Sequence, residues 1–237
     1  MSIFKTDLVV DIHDVDFNGI ARFSSLMRYI QSAAQTQLTE NGLSYDELKS
    51  KKRAFILSRI KVEFDAPVRA YERVEAVSYP CHSRGFSFLR CYQLNKDGFN
   101  IGRAASVWAL IDTDTRALIR VNDMELGLTT EDPLNLTVKH FALPSSVSTV
   151  GKYAVTYADT DQNKHMNNTR YPDMYSNFLP LENKRIRSMS IAYLNEAPFG
   201  EVLTVQRAFE DGRYYFRTLR EDGKVNTEAE IELVDII

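Results

Sequence analysis

Residues 159–168 read DTDQNKHMNN, and within that stretch Asp161, Asn163 and His165 alternate with Gln162 and Lys164. A carboxylate, a carboxamide and an imidazole at this spacing suit hydrolysis. The carboxylate can act as base on water or attack a carbonyl directly. The amide can hold water or substrate, and the imidazole can donate to a carbonyl oxygen or a leaving group. If the segment is extended, residues two apart share one face, so the three side chains converge while Gln162 and Lys164 point away. Asn168 is expected to cap the next helix, with Pro172 tolerated in its first turn. The free N–H groups of that helix would then face the same region as oxyanion donors. The plainer alternatives are an Asx-type turn for Asp161 and Asn163, and a satisfied surface or core histidine for His165. One His with two carboxylates and no second His nearby makes a poor metal site, so neither metal nor cofactor is expected.

The elements that must position these residues come in two similar runs. FKTDLVVDI (4–12) alternates like a strand and leads into the polar turn HDVDFNGIARF. A helix is expected from Ser24 to about Glu40, with a stripe of Leu26, Ile30, Ala33 and Gln37/Leu38 and a stop at Asn41-Gly42. SYDE (44–47) reads as a capping box for a second, short helix. Long strand-like runs then fill Ala54 to Val121, broken by SRG, NKDG and DTDT. From 150 onward the order recurs: the strand VGKYAVTYA, the polar decapeptide, a short helix in TRYPDMYSNFL, and four strands. DVDFN (14–18) matches DTDQN (159–163), and KDG (96–98) matches EDG (221–223). DAP (65–67) matches EAP (196–198), which sets Asp65 against Glu196. A helix wrapped by a curved antiparallel sheet is the hot-dog architecture. The sequence therefore predicts an α+β chain of two tandem hot-dog domains, 1–125 and 148–237, joined by a linker over 126–147. Their sheets would join edge to edge and so remove exposed strand edges.

Composition narrows the function classes. The chain has 237 residues, 44% hydrophobic and 26% charged, with a formal net charge of −3, so no global basic field invites nucleic acid. No apolar run approaches the roughly 18–20 residues of a membrane span. The start lacks the apolar stretch and cleavage site of a signal peptide. Cys81 and Cys91 are too few for a disulfide framework, and with Cys81 opposite Phe88 the second is displaced along its strand. Free thiols in a reducing cytoplasm are expected.

The decapeptide resembles the active-site segment of plant and bacterial acyl-[acyl-carrier-protein] thioesterases. That pattern, D-x-N-x-H-x-N-N followed by Tyr, stands here as Asp161, Asn163, His165, Asn167, Asn168 and Tyr171. The resemblance covers nearly the whole chain and includes Ala105, Ser106, Val107 and Trp108 in the first half. It implies hydrolysis of fatty acyl thioesters on acyl carrier protein. It also implies a further carboxylate, Glu196, on the strand after the helix. Ala197 stands where plant members carry a cysteine, so a thiol nucleophile on that strand is not expected. In the first half Asp16 and Asn18 persist but Ile20 replaces the histidine, which implies a silent site. The family's first domain supplies an acyl pocket, here assigned to Met27, Ile30, Ala34, Phe55, Leu57, Val107 and Trp108, each of which has plain core packing as its alternative. The acidic carrier calls for a basic docking face, for which Lys164, Arg170, Lys184, Arg185 and Arg187 are the candidates. Hydrolysis of acyl-CoA and non-catalytic binding of acyl thioesters are the competing readings. A homodimer stays open.

Overall fold

The computed structural model describes residues 3–121 and 127–236. The strand-like runs of the first half form β1 (Phe4–Val9), β2 (Arg53–Phe64), β3 (Arg73–Pro80), β4 (Phe88–Lys96), β5 (Phe99–Asp112) and a two-residue β6 (Leu118–Ile119). Those of the second form β7 (Ser148–Ala154), β8 (Lys184–Tyr193), β9 (Val202–Glu210), β10 (Arg213–Leu219) and β11 (Val225–Asp235). The helices are α1 (Phe23–Glu40), α2 (Tyr45–Ser50) and α3 (Tyr171–Ser176). Ser44 and Glu47 close a capping box on α2, each satisfying the other's backbone N–H. The long run expected over RALIRV shrinks to Leu118–Ile119, and 122–126, where the boundary at 125 falls, lie outside the described residues.

The strands lie in the order β1-β3-β4-β5-β2-β8-β11-β10-β9-β7, all antiparallel. The order within the second half repeats that of the first, outer edge to seam. The halves meet where β2 pairs with β8, from Arg59 opposite Ala192 to Glu63 opposite Ser188. A pseudo-twofold axis runs through the Lys61–Ser190 pair at the middle of that register. The joined sheet thus hides two inner edges and leaves β1 and β7 at its outer ends.

One core runs through both halves. Leu26, Met27, Ile30, Ala33 and Ala34 of α1 recur every three to four residues and are buried with Ile60, Val62, Tyr92 and Leu94 of the first sheet. In the second half Met174 and Tyr175 of α3 pack with Leu203, Val205, Phe216 and Ala229. The pairing fixes which residues correspond. Val62 pairs with Ala104 and Ala104 with Tyr92, while Ile191 pairs with Ala229 and Ala229 with Phe216. Tyr92 and Phe216 are therefore equivalent, and Arg90 corresponds to Tyr214.

The segment 127–147 forms no helix or long strand; it lies over the outer face of the first sheet. Glu131 N–H donates to Pro80 O (3.0 Å), and Leu136 is buried with Val77, Tyr79, Cys81, Cys91 and Ala105.

Candidate active site

The Asp161–His165 segment is a tight turn, not the extended run expected. Asp161 N–H donates to His165 O (3.0 Å) and Lys164 N–H to Asp161 O (2.9 Å), closing a loop across which Thr160 faces Met166. Lys164 has φ +63°. Asp161 Oδ1 accepts the N–H of Asn163 at 2.8 Å, the local self-bond that makes Asx turns. This bond outcompetes the strand ladder and removes the period-two convergence.

Asn167, not Asn168, is the capping residue. Its Oδ1 accepts both N–H and hydroxyl of Thr169, at 2.9 and 2.8 Å, because a 3₁₀ turn over Asn168–Arg170 precedes α3 and starts the helical path a residue early. Pro172 sits in the first turn of α3 as expected. The N–H groups of Thr169 and Arg170 are satisfied by Asn167, and α3 is only six residues long. Two of the expected oxyanion donors at that helix end are thus consumed locally.

Two further elements complete the site. His165 bridges to Pro198, and Met166 N–H donates to Ala197 O (2.8 Å), which carries the chain after β8 past the turn. His165 Nε2 then lies 3.6 Å from Glu196 Oε2, and Arg116, at the tip of the β5–β6 turn, lies 3.5 Å from the same carboxylate. From the first half, Tyr45 at the start of α2 donates its hydroxyl to Asn163 Oδ1 at 2.9 Å. The structure thus joins His165 to Glu196, and Asp161 to Asn163 through the backbone. Among the described residues no side-chain hydrogen bond links the first pair to Asp161. Tyr45 and Arg116 gave no signal in the sequence, since neither belongs to the second half's motif. Tyr171 is buried, accepts from Asn226 Nδ2 (3.0 Å), and burial pushes its hydroxyl up to about 12.

The turn is anchored below by Asp159. Its carboxylate accepts from Tyr153 Oη (2.8 Å) and from both N–H and hydroxyl of Thr156 (2.8 and 2.7 Å). Burial works to raise its pKa, but these hydrogen bonds and the Arg170 charge hold it below the usual carboxylate value.

The first-half turn repeats the geometry without the histidine and the glutamate. Asp16 Oδ1 accepts from Asn18 N–H (2.8 Å), Asp16 N–H donates to Ile20 O (2.8 Å), and Gly19 takes φ +73° where Lys164 takes +63°. Ala21 N–H donates to Val68 O as Met166 N–H does to Ala197 O, and Asp65 N–H donates to Ile101 O as Leu194 N–H does to Asn226 O. Glu196 therefore corresponds to Pro67, and Asp65 to Leu194. The DAP/EAP match is two residues out of register, because the two loops diverge in sequence where their backbones coincide. Both members of the His165–Glu196 pair are apolar in the first half, as Ile20 and Pro67.

A cavity of about 670 Å³ runs along α1 and the first sheet and ends at Asn163, Asn167 and Thr169 of the second half. Its size falls within the roughly 300–1,000 Å³ range of ligand sites. Ala34, Phe55 and Trp108 line it. Met27, Ile30 and Leu57 do not; they are fully buried in the core beneath. Val107, two residues from Ala105 on β5, shares that residue's outer face, because strand side chains alternate. Leu38 of the expected helical stripe adds apolar wall, as do Leu43, Leu48, Phe88 and Leu89, which the sequence pattern did not mark.

The basic candidates separate. Lys164 is exposed on the site turn. Arg170, Lys184 and Arg185 line a different, polar groove of about 880 Å³ beside the silent Asp16 turn. They lie there because the pseudo-twofold sets each turn against the opposite half: Asn18 Nδ2 donates to Leu181 O (2.8 Å) and Lys184 O (3.2 Å), as Tyr45 reaches Asn163. Arg185 donates to the carbonyls of Phe64 and Asp65 (2.6 Å each), Arg187 pairs with Asp65 (3.1 Å) and Glu232 (3.4 Å), and Lys184 pairs with Asp235 (2.6 Å). Arg185 and Arg187 brace the β2–β8 seam, whereas Lys184 is held by β11 and Arg170 pairs with Asp173 (3.5 Å). Among the described residues no group of three or more His, Cys, Asp and Glu is placed to hold a metal.

Comparison with known proteins agrees with this geometry along the chain. The family model for the acyl-ACP thioesterase N-terminal domain matches residues 1–126, and that for the C-terminal domain matches 144–234. A chloroplastic palmitoyl-acyl carrier protein thioesterase of Arabidopsis thaliana is 22% identical over 85% of this chain and 54% of its own length. A chloroplastic oleoyl-acyl carrier protein thioesterase 2 of the same plant is 26% identical over 76% and 54%. The chain thus spans about half the length of these relatives. An acyl-ACP thioesterase structure from Bacteroides thetaiotaomicron superposes with a TM-score of 0.90 at 23% identity, covering 98% of each chain. The 12:0-ACP thioesterase of Umbellularia californica gives 0.86 at 16% identity, covering 99% of this chain and 98% of its own. These likenesses show the shared double hot-dog fold, and with both family models matched in order, the chain belongs to the acyl-ACP thioesterase family.

Proposed function

We propose that the chain hydrolyses fatty acyl-[acyl-carrier protein] to free fatty acid and carrier protein. The observation that carries this is the junction of cavity and turn. A largely apolar channel built by the first half ends at Asn163 of the second, one residue pair from His165 and Glu196. A chain lying in the channel brings its thioester carbonyl to the turn. Asp161, Asn163, His165 and Glu196 form the proposed catalytic set. A carboxylate, Glu196 or Asp161, takes a proton from water as the water oxygen bonds to the thioester carbon. The C–S bond then breaks, and the leaving thiolate takes a proton from His165, which regains it from the carboxylate that took the water's proton, directly from Glu196 beside it or through solvent from Asp161. Asn163, fixed by Tyr45, holds water or carbonyl. Ala197 is fully buried and its carbonyl ties down the turn, so no thiol enters this scheme.

Carrier docking is assigned to Lys164 and its surroundings, since each of the other basic candidates already holds a carboxylate or carbonyl of the protein. Turnover on carrier protein should fall as salt rises, because exposed charges are screened over about 10 Å at 0.1 M. The deciding experiment is thiol release from acyl-carrier protein and acyl-CoA of equal chain length. Faster release from the carrier supports this reading, faster release from CoA replaces it with an acyl-CoA hydrolase, and tight binding without release makes the protein a binder.

A further inference from the structure

We propose that the acyl chain bound in the first-half cavity carries an oxygen acceptor, a hydroxyl, keto or carboxylate group remote from the thioester, held by Arg90 with Gln31 as a second donor. The inference rests on the thioesterase reading of the site and names its substrate class.

A channel for a plain hydrocarbon gains from apolar walls alone. Here the wall carries Arg90, 7% exposed, on the face of β4 turned toward α1. Among the described residues no carboxylate lies within ion-pair distance of it. Its hydrogen bonds, to Gln37 Oε1 and Ser78 Oγ at 2.8 Å each, both leave from Nη1. Burying a guanidinium without a counter-charge is strongly unfavourable unless acceptors surround it. A second donor in the same wall has no partner at all: Gln31 Nε2 is buried without a hydrogen bond, and Gln31 lines the cavity. Both groups donate, so the missing partner is an acceptor. The two sit on or against α1 at different depths, Gln31 one turn beyond Arg28 and Arg90 against Gln37. A chain threading the channel passes both. Desolvation pulls the Arg90 pKa down from its ordinary value, but a guanidinium stays charged and an acceptor beside it is favoured. In the second half the corresponding residue is Tyr214, an aromatic side chain packed against the core in place of a buried guanidinium.

The test begins with the wild-type chain and free acids of one length: unsubstituted, hydroxy-, oxo- and dicarboxylic. Calorimetric binding should favour at least one oxygenated acid roughly ten- to hundredfold, the range of a hydrogen bond to a charged group. Which acid wins identifies the acceptor. Arg90→Met should abolish that preference and Arg90→Lys should restore part of it. Because Arg90 also holds Gln37 and Ser78, Gln31→Leu provides a second variant with no protein partner to lose; it should weaken the oxygenated acid and spare the plain one. Equal or tighter binding of the plain acid by the wild type overturns the proposal, as does a preference that survives Arg90→Met. Binding of an oxygenated acid with no thioester hydrolysed would sink the proposed activity while leaving this inference standing.

Discussion

The two halves share a strand order, a turn and a set of anchoring hydrogen bonds, yet one is hollow and the other solid. In the first, α1 runs 18 residues and leaves a cavity of about 670 Å³ beside it. In the second, α3 runs six residues, and Tyr175, fully buried, fills the space against Phe216 with ring centroids 4.8 Å apart. Its hydroxyl is satisfied by Thr227 (2.6 Å), which bonds Thr218 in turn (2.7 Å). The polar pair divides the opposite way. The solid half carries His165 and Glu196; the hollow half carries Ile20 and Pro67. The cavity and the proposed catalytic pair thus sit on different copies of one frame, and the pseudo-twofold brings each turn against the other half's contents.

The sharpest test of that division compares the two turns. Glu196→Ala and Asp161→Ala should each lower thiol release by about 10²–10⁴ with folding retained. Asp16→Ala, at the silent turn, should change turnover far less. Equal losses at Asp16 and Asp161 would end the single-site assignment. Cys81→Ser/Cys91→Ser should keep most of the activity, because neither thiol belongs to the site.

The second comparison sets cavity against core. Tyr175→Ala should cost about 3–5 kcal/mol, the range of large aromatic truncations, read by denaturant unfolding, without altering product length. Ala34→Trp should instead shift a host's fatty-acid profile toward shorter acids, at some cost from overpacking. Bulk at Met27 or Ile30, which lie in the core, should lower stability and leave chain length alone. A profile shift at those two and none at Ala34 would relocate the channel.

Much of this was legible in the sequence, and the exceptions share a cause. The strands, the duplication and the Asp161/Asn163/His165 spacing follow from alternation and motif. The conformation of the turn did not, because period two assumes a strand, whereas Asp161 bonds its own backbone two residues on. The pocket assignment departs from the cavity lining at Met27, Ile30 and Leu57, because periodicity tells which face of a helix or strand is buried, not whether it meets a wall or a void. Tyr45 and Arg90 escaped because their roles depend on contacts across long sequence separations.

Smaller effects probe the anchors. Asp159 and its counterpart Asp14 are both held below the usual carboxylate value. For each, burial opposes the shift and hydrogen bonds overcome it, from Tyr29 and Arg28 at Asp14. A depressed carboxylate adds stability above its ordinary unfolded pKa, and that contribution is lost as pH falls through the lower folded value. Unfolding in acid should therefore steepen below the usual Asp range. Asp159→Asn should remove about 1–3 kcal/mol at neutral pH and flatten that limb. Asp14→Asn should do so to a similar extent while sparing turnover. Least of all, Lys164→Gly should gain about 0.4–1 kcal/mol if its left-handed backbone alone matters, since Gly19 already occupies the matching place. A raised KM for carrier protein in that variant, with a small acyl thioester unaffected, would mark Lys164 as a docking cation.

The strip of chain from 127 to 147 makes the molecule self-reporting. Cys81 and Cys91 have no exposed surface, and Leu136 closes over them. The Cys81 thiol is pushed up by its hydrogen bond with Cys91 and by burial, so little of it is thiolate at neutral pH. Cys81 also borders the channel, but Cys91 does not, and an alkylating reagent reaches Cys91 during moments when the strip lifts or the sheet opens, so its labelling rate is a clock for that opening. Labelling slowed by bound acyl carrier or fatty acid would show that filling the channel on one side of the sheet quiets the covering on the other.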